Sequence, residues 1–134
     1  MITFVWACYK VVLEPTSPFI LLRGKSFDTF TPVGPLIETD LDTANLHVQF
    51  RLNGETMQNG NTRDMIFSVN YLVSYLSQQM TLLPGTLILT GMPAGTGSQS
   101  TPPVFLKPND RMEVEIAGIG VLANPIVPDT PRAK

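Results

Sequence analysis

The chain reads as a mainly β fold with one amphipathic helix, an α+β arrangement without the regular strand–helix alternation of a parallel sheet. Three observations predict this. Several short segments alternate apolar and polar residues with period two, as half-buried strands do. One segment repeats apolar residues at helical spacing. The 134 residues also include 12 prolines, well above a typical ~5%, and proline favours short strands and shaped loops over long helices.

Taken in order, Ile2–Leu13 is rich in strand-forming Ile, Val, Phe, Trp, Thr and Tyr and ends at Pro15, Ser17 and Pro18, so it is expected to be a strand. Phe19–Leu22 is a short apolar run that leads into the polar stretch Arg23–Phe30, and Pro32, Gly34 and Pro35 shape the next turn. In Leu46–Leu52 the residues Leu46, Val48, Phe50 and Leu52 share one face while His47, Gln49 and Arg51 take the other, the pattern of a half-buried strand. Asn53-Gly54 is a hairpin signal, with Glu55–Gln58 as the return strand and Asn59-Gly60-Asn61 closing it. Ile66, Val69, Leu72, Val73, Leu76 and Met80 predict a helix over Ser68–Gln79 with Ser68 as N-cap. Pro84-Gly85 stops the chain before the next element. Leu87–Thr90 is expected to be a short buried strand opening onto the glycine- and proline-rich loop Gly91–Pro103. Arg111–Ala117 alternates with Met112, Val114 and Ile116 facing inward, and Gly118–Val127 gives a last strand or strand pair before a polar tail.

Composition bounds what such a fold does. Hydrophobic residues make up 43% and charged residues 15%, against a usual charged share of about 25%, so a packed core is expected over most of the length. The length suits one domain. Nine basic against eleven acidic residues give a net charge of −2, which supplies no positive field for nucleic acid. No apolar run approaches the ~18 residues of a membrane span. One cysteine, Cys8, and one histidine, His47, exclude an internal disulfide framework, a cysteine-based zinc cluster and a multi-histidine metal site. The lone cysteine and the absence of a basic leader pattern point to a cytoplasmic protein.

Four groups could carry chemistry. In Arg23-Gly24-Lys25-Ser26-Phe27-Asp28-Thr29 the lysine follows a glycine in a loop fed by an apolar run. It can point into a cleft, where burial would lower its pKa, or it can be a solvated lysine on a turn, which spacing alone favours. The G-x-x-x-x-G-K spacing of a phosphate loop is absent. Thr90-Gly91-Met92-Pro93-Ala94-Gly95-Thr96-Gly97 offers backbone N–H groups and a hydroxyl at close approach to an anion, and it reads equally well as a tight connection. Glu113 and Glu115 are two apart on a strand and share a face, as metal-binding carboxylates often do. Because Met112, Val114 and Ile116 claim the core side, the two glutamates are expected to face water. His47 on the polar face of its strand is expected to be a surface histidine, and Cys8 a buried, inert thiol.

Three segments in this order, RGKSFDTFTPVGP at 23–35, LNGETMQNGNTRDMIFSVNYLVSYLSQQMTLLPGTLILTGMPAGTG at 52–97 and PPVFLKPNDRMEVEIAGIGVLANP at 102–125, closely resemble the catalytic domain of the fumarylacetoacetate hydrolase family. The resemblance runs from about Leu22 to Val127. It divides the chain into a non-matching segment 1–21, a partial fumarylacetoacetate hydrolase-like domain 22–127 and a tail 128–134. It implies a metal-dependent hydrolase or lyase that cleaves C–C bonds of 2-oxo or 1,3-dicarbonyl acids, as in acylpyruvate hydrolysis or oxaloacetate decarboxylation. A homodimer, a small 2-oxo acid substrate and a Mg²⁺ or Mn²⁺ cofactor are implied with it, the ion stabilising an enolate. Lys25 matches the family's active-site lysine. Thr90, with the Gly91 backbone beside it, matches a residue that hydrogen-bonds the acid end of the substrate, and Thr29 matches a threonine near the metal in some members.

The sequence also departs from that pattern. The family's three metal-binding carboxylates, two from a Glu-x-Glu strand and one Asp, precede the lysine, whereas residues 1–21 hold a single acid, Glu14. The histidine-bearing lid segment has no counterpart, and Glu113–Glu115 matches a different, C-terminal strand of the family pattern. Pro84-Gly85-Thr86 and Pro108-Asn109-Asp110 stand where Pro-Gly-Asp is usual, Met92 replaces a threonine, and Ala123-Asn124 replaces Arg-Asn. A divalent ion of the magnesium type needs anionic oxygen ligands. The sequence is therefore also compatible with a catalytically inactive remnant or a small-carboxylate-binding or interaction module, and residues 1–21 with a replacement for a lost half-domain.

Overall fold

The structure, a computed structural model, describes residues 25–128. The expected strand Ile2–Leu13, Cys8, the run Phe19–Leu22 and the end of the tail lie outside the described residues. The described elements are β1 (His47–Leu52), β2 (Glu55–Asn61), α1 (Val69–Gln79), β3 (Arg111–Ile116) and β4 (Gly120–Pro125). The four strands form one antiparallel sheet in the order β2-β1-β3-β4. Among the described residues the fold is mainly β with one helix of several turns, as the sequence predicts.

The sheet follows from its two turns. At the tip between β1 and β2, Asn53 and Gly54 take φ of 53° and 85°, the pair of left-handed residues that matches the twist of a two-residue hairpin. Between β3 and β4, Gly118 at φ 81° turns the chain, and a Cβ there would sit 2.9 Å from Leu41 Cδ1. Val48, Phe50 and Leu52 pair with Ile116, Val114 and Met112, so one face of β1 and β3 is a continuous apolar row. Among the described residues the buried apolar side chains are Phe50, Met112 and Ile116 of this row together with Leu46 and Val69. At the start of β1, Thr62 Oγ1 accepts the Leu46 N–H at 2.7 Å and the Thr62 N–H donates to the Leu46 carbonyl at 2.9 Å, which closes the end of the hairpin.

Two expectations needed correction. The return strand continues beyond Gln58 to Asn61, because Asn59, Gly60 and Asn61 stay paired with Gln49, Val48 and His47. Its register shifts between Phe50 and Arg51, leaving Met57 as an extra, bulged residue. Leu87–Thr90 forms no strand: the segment is apolar enough, but it joins neither sheet edge, and a strand exists only against a partner's ladder. The helix begins at Val69 with Ser68 as N-cap, whose hydroxyl accepts the Tyr71 N–H at 3.2 Å. Ile66 lies before it and is 91% exposed. The inward stripe is Val69, Leu72 and Leu76, while Phe67, Tyr71 and Tyr75 stack on another side with centroids 4.9 and 6.3 Å apart.

Candidate functional site

Lys25 opens the described chain and is half-buried. Lys25 itself is helical, and the turn that follows it is held from within: the Thr31 hydroxyl donates to the Lys25 carbonyl at 2.6 Å, the Phe30 N–H donates to the Phe27 carbonyl at 3.2 Å, and the rings of Phe27 and Phe30 meet edge to face at 5.5 Å. Inside this turn Thr29 has φ 71°, left-handed backbone that a β-branched residue adopts only under constraint, at a cost of about 1–3 kcal/mol. Thr29 itself is exposed.

The second candidate, the loop from Thr90 to Gly97, is fastened to β2 rather than to its own neighbours. Thr90 is half-buried and Gly91 is exposed at φ 119°. The Gln58 side chain, 2% exposed, donates from Nε2 to the Pro93 carbonyl at 2.6 Å. The Pro93 ring fills the space that the absent side chain of Gly60 leaves, where a Cβ would lie 2.8 and 2.9 Å from its Cβ and Cγ. Gly95, at φ 99°, lies so close to the Met57 carbonyl that a Cβ would be 2.3 Å from its oxygen. The loop ends where the Gly97 carbonyl accepts the Val104 N–H at 2.8 Å.

Glu113 and Glu115 lie opposite the core face, as expected, but are not simply solvated. Arg51 pairs with both, Nε to Glu113 Oε2 at 3.3 Å and a guanidinium nitrogen to Glu115 Oε2 at 2.7 Å. Arg111 Nε reaches Glu113 Oε1 at 2.9 Å. The hydrogen bond from Arg111, then that from Arg51, holds the Glu113 carboxyl below the usual carboxylate range. The Arg51 pairs run across strands and the Arg111 pair along β3, an arrangement that stabilises a sheet face and leaves the carboxylates engaged. His47 is exposed and its Nε2 bonds to Asn59 Oδ1.

Among the described residues no group of three or more His, Cys, Asp or Glu side chains could hold a metal ion, and the first 24 residues contain one acid, Glu14. The donors among the described residues do not by themselves fit a magnesium or manganese ion. Sequence reasoning missed Gln58. Counting alternation from the Asn53-Gly54 turn puts Met57 opposite Phe50, and only the bulge brings Gln58 to that place. The neighbouring Gly60, a residue that strands avoid unless something approaches closely, was the available signal.

A family model of the fumarylacetoacetate hydrolase C-terminal region matches residues 12–127. The chain belongs to the fumarylacetoacetate hydrolase family. It is 47% identical over 109 residues to the mitochondrial oxaloacetate tautomerase FAHD2A of Bos taurus, a match that takes in 79% of this chain and 35% of that protein. Among solved structures of the family, the fumarylacetoacetate hydrolase of the psychrophile Exiguobacterium antarcticum superposes with a TM-score of 0.76 at 44% identity, covering 78% of this chain and 39% of the other. Maleylpyruvate hydrolase from Sphingobium sp. SYK-6, in complex with manganese(II) and pyruvate, superposes with a TM-score of 0.69 at 36% identity over 78% of this chain and 38% of that one. The chain thus spans little more than a third of the curated relatives it matches.

Proposed function

We propose that this chain acts on small 2-oxo or 1,3-dicarbonyl acids as a hydrolase or lyase of carbon–carbon bonds, with Lys25 as its catalytic residue and Thr90 and Gly91 binding the acid end of the substrate. The observation that supports the reading is the family match over residues 12–127, a stretch that includes Lys25 and Thr90-Gly91, whose surrounding motifs resemble the family's lysine and substrate-binding segments. Relatives named oxaloacetate tautomerase and maleylpyruvate hydrolase support the substrate class. The chemistry asks for little more than charge placement. Breaking or enolising a bond next to a carbonyl builds negative charge on its oxygen, and an ammonium fixed beside that oxygen lowers the barrier. A hydroxyl and a backbone N–H at a glycine, where no side chain blocks approach, are suited to a carboxylate. The Mg²⁺ or Mn²⁺ that the family implies takes no part in this proposal, because the donors among the described residues do not fit it.

Turnover of oxaloacetate and acetylpyruvate by the full chain and its Lys25→Ala variant tests the reading. The substitution is expected to lower kcat by about 10²–10³-fold, the scale of losing one preorganised charge-stabilising group, with little change in fold by circular dichroism. Equal turnover in both proteins would remove Lys25 from the site. A second reading, a small-carboxylate-binding module without catalysis, is favoured by the single acid, Glu14, that precedes Lys25 and by the lack of a metal-holding cluster among the described residues. Binding of oxalate without turnover of either acid would select it. A homodimer in the cytoplasm completes the proposal. Sedimentation analysis decides the first part, for which exposed apolar side chains such as Phe67, Leu83 and Phe105 give support, and cell fractionation decides the second.

A further inference from the structure

We propose that Gln58 is a positioning residue of this site: its buried amide holds the Thr90–Gly97 loop against β2 and so sets where the Thr90 hydroxyl and the Gly91 N–H meet a substrate carboxylate. The inference rests on the carboxylate-binding reading of that loop and deepens it. It stands on three contacts that interlock one stretch of strand with one stretch of loop: Gln58 Nε2 to the Pro93 carbonyl at 2.6 Å, the Pro93 ring seated over Gly60, and Gly95 pressed against the Met57 carbonyl.

The burial of Gln58 has no explanation in packing alone. At 2% exposure it lies opposite Phe50 in an otherwise apolar row, and its Oε1 is buried without a hydrogen-bond partner among the described residues. An unmatched buried acceptor destabilises a protein, and replacing a buried polar group by an apolar one of the same shape can be nearly neutral. Methionine has almost the same volume and would fill this place without that penalty. What methionine cannot do is donate to the Pro93 carbonyl. The amide is therefore matched to the loop contact, and the loop contact lies two residues beyond Gly91.

The test uses the full chain and two independent variants. Gln58→Met removes the donor and keeps the volume. Gly95→Ala keeps the donor but drives a methyl group into the Met57 carbonyl, prising the loop off from the other side. Hydrogen exchange followed by NMR is expected to show faster exchange at the Gln99 and Val104 amides, which donate to the Thr96 and Gly97 carbonyls at the end of the loop, in both variants, by about fivefold or more, the worth of one hydrogen bond. The β1 and β3 amides, and the thermal midpoint of Gln58→Met, should stay close to wild type. Oxalate affinity, measured by calorimetry, should fall by a similar factor in each variant, and the double variant should lose no more than the worse single one, because both release the same loop. Unchanged loop exchange in Gln58→Met would overturn the proposal whatever oxalate does. So would a loss of stability spread evenly over sheet and loop, the mark of a purely structural residue. If the loop exchanges faster but the wild-type chain does not bind oxalate, the tether stands and the carboxylate reading of the loop falls.

Discussion

Thr29 and Glu113 show how single residues in this chain trade stability against placement. Thr29 is held at φ 71°, where glycine sits without a Cβ penalty. Thr29→Gly is expected to cost no stability or to raise the thermal midpoint slightly, and to lower turnover of oxaloacetate if the strain helps to aim Lys25, four residues earlier. Paired melting curves and kinetics check both halves. Glu113 makes a prediction about acid. Because Arg111 and Arg51 hold its carboxyl below the usual range, the folded chain binds fewer protons there than the unfolded chain. The stability this gives is present above the ordinary carboxylate pKa and is lost as pH falls toward the depressed folded value. Thermal melts between about pH 3 and 7 should show that loss in wild type, and Glu113→Gln should flatten part of it. At this scale the sequence offers as candidates the groups that sit in motifs, Lys25 and Thr90-Gly91. Gln58 escaped because its burial depends on a shift in strand register that side-chain identity does not announce.

At the scale of elements, legibility follows locality. The tip of the first hairpin and the helix start are written in two to four adjacent residues, and both formed where expected. Gly54→Ala places a Cβ at φ 85° and is expected to cost about 1–2 kcal/mol. Ser68→Ala removes the acceptor for the Tyr71 N–H and is expected to cost about 1 kcal/mol. Chemical denaturation of the two variants measures each. Leu87–Thr90 is the contrasting case: apolar runs of this length fit a strand, but pairing depends on what lies alongside, and neither β2 nor β4 takes this segment as a neighbour. The helix is intermediate. Its existence was legible from period alone, yet Ile66 and Met80, which share the spacing, stay at 91% and 55% exposure because the capping residue and the helix end exclude them.

For the whole molecule, the described core is small, and much depends on few side chains. Phe50 joins the apolar row of β1 and β3 to Gln58 on β2. Phe50→Ala should cost about 3–5 kcal/mol, a large part of the ~5–15 kcal/mol that keeps a domain folded. A sharp drop in urea midpoint would show it. The bulge at Met57 gives the hairpin an arithmetic of its own. Adding or losing one residue between the Asn53-Gly54 tip and Gln58, unless the irregularity absorbs it, moves the amide one place along the strand and therefore through to the opposite face. The contour length of this short arm is thus geared to the Thr90–Gly97 loop, whose Pro93 lies 35 positions away. Insertions and deletions here should be far less tolerable than in the polar connections elsewhere, even where every substituted side chain would be acceptable.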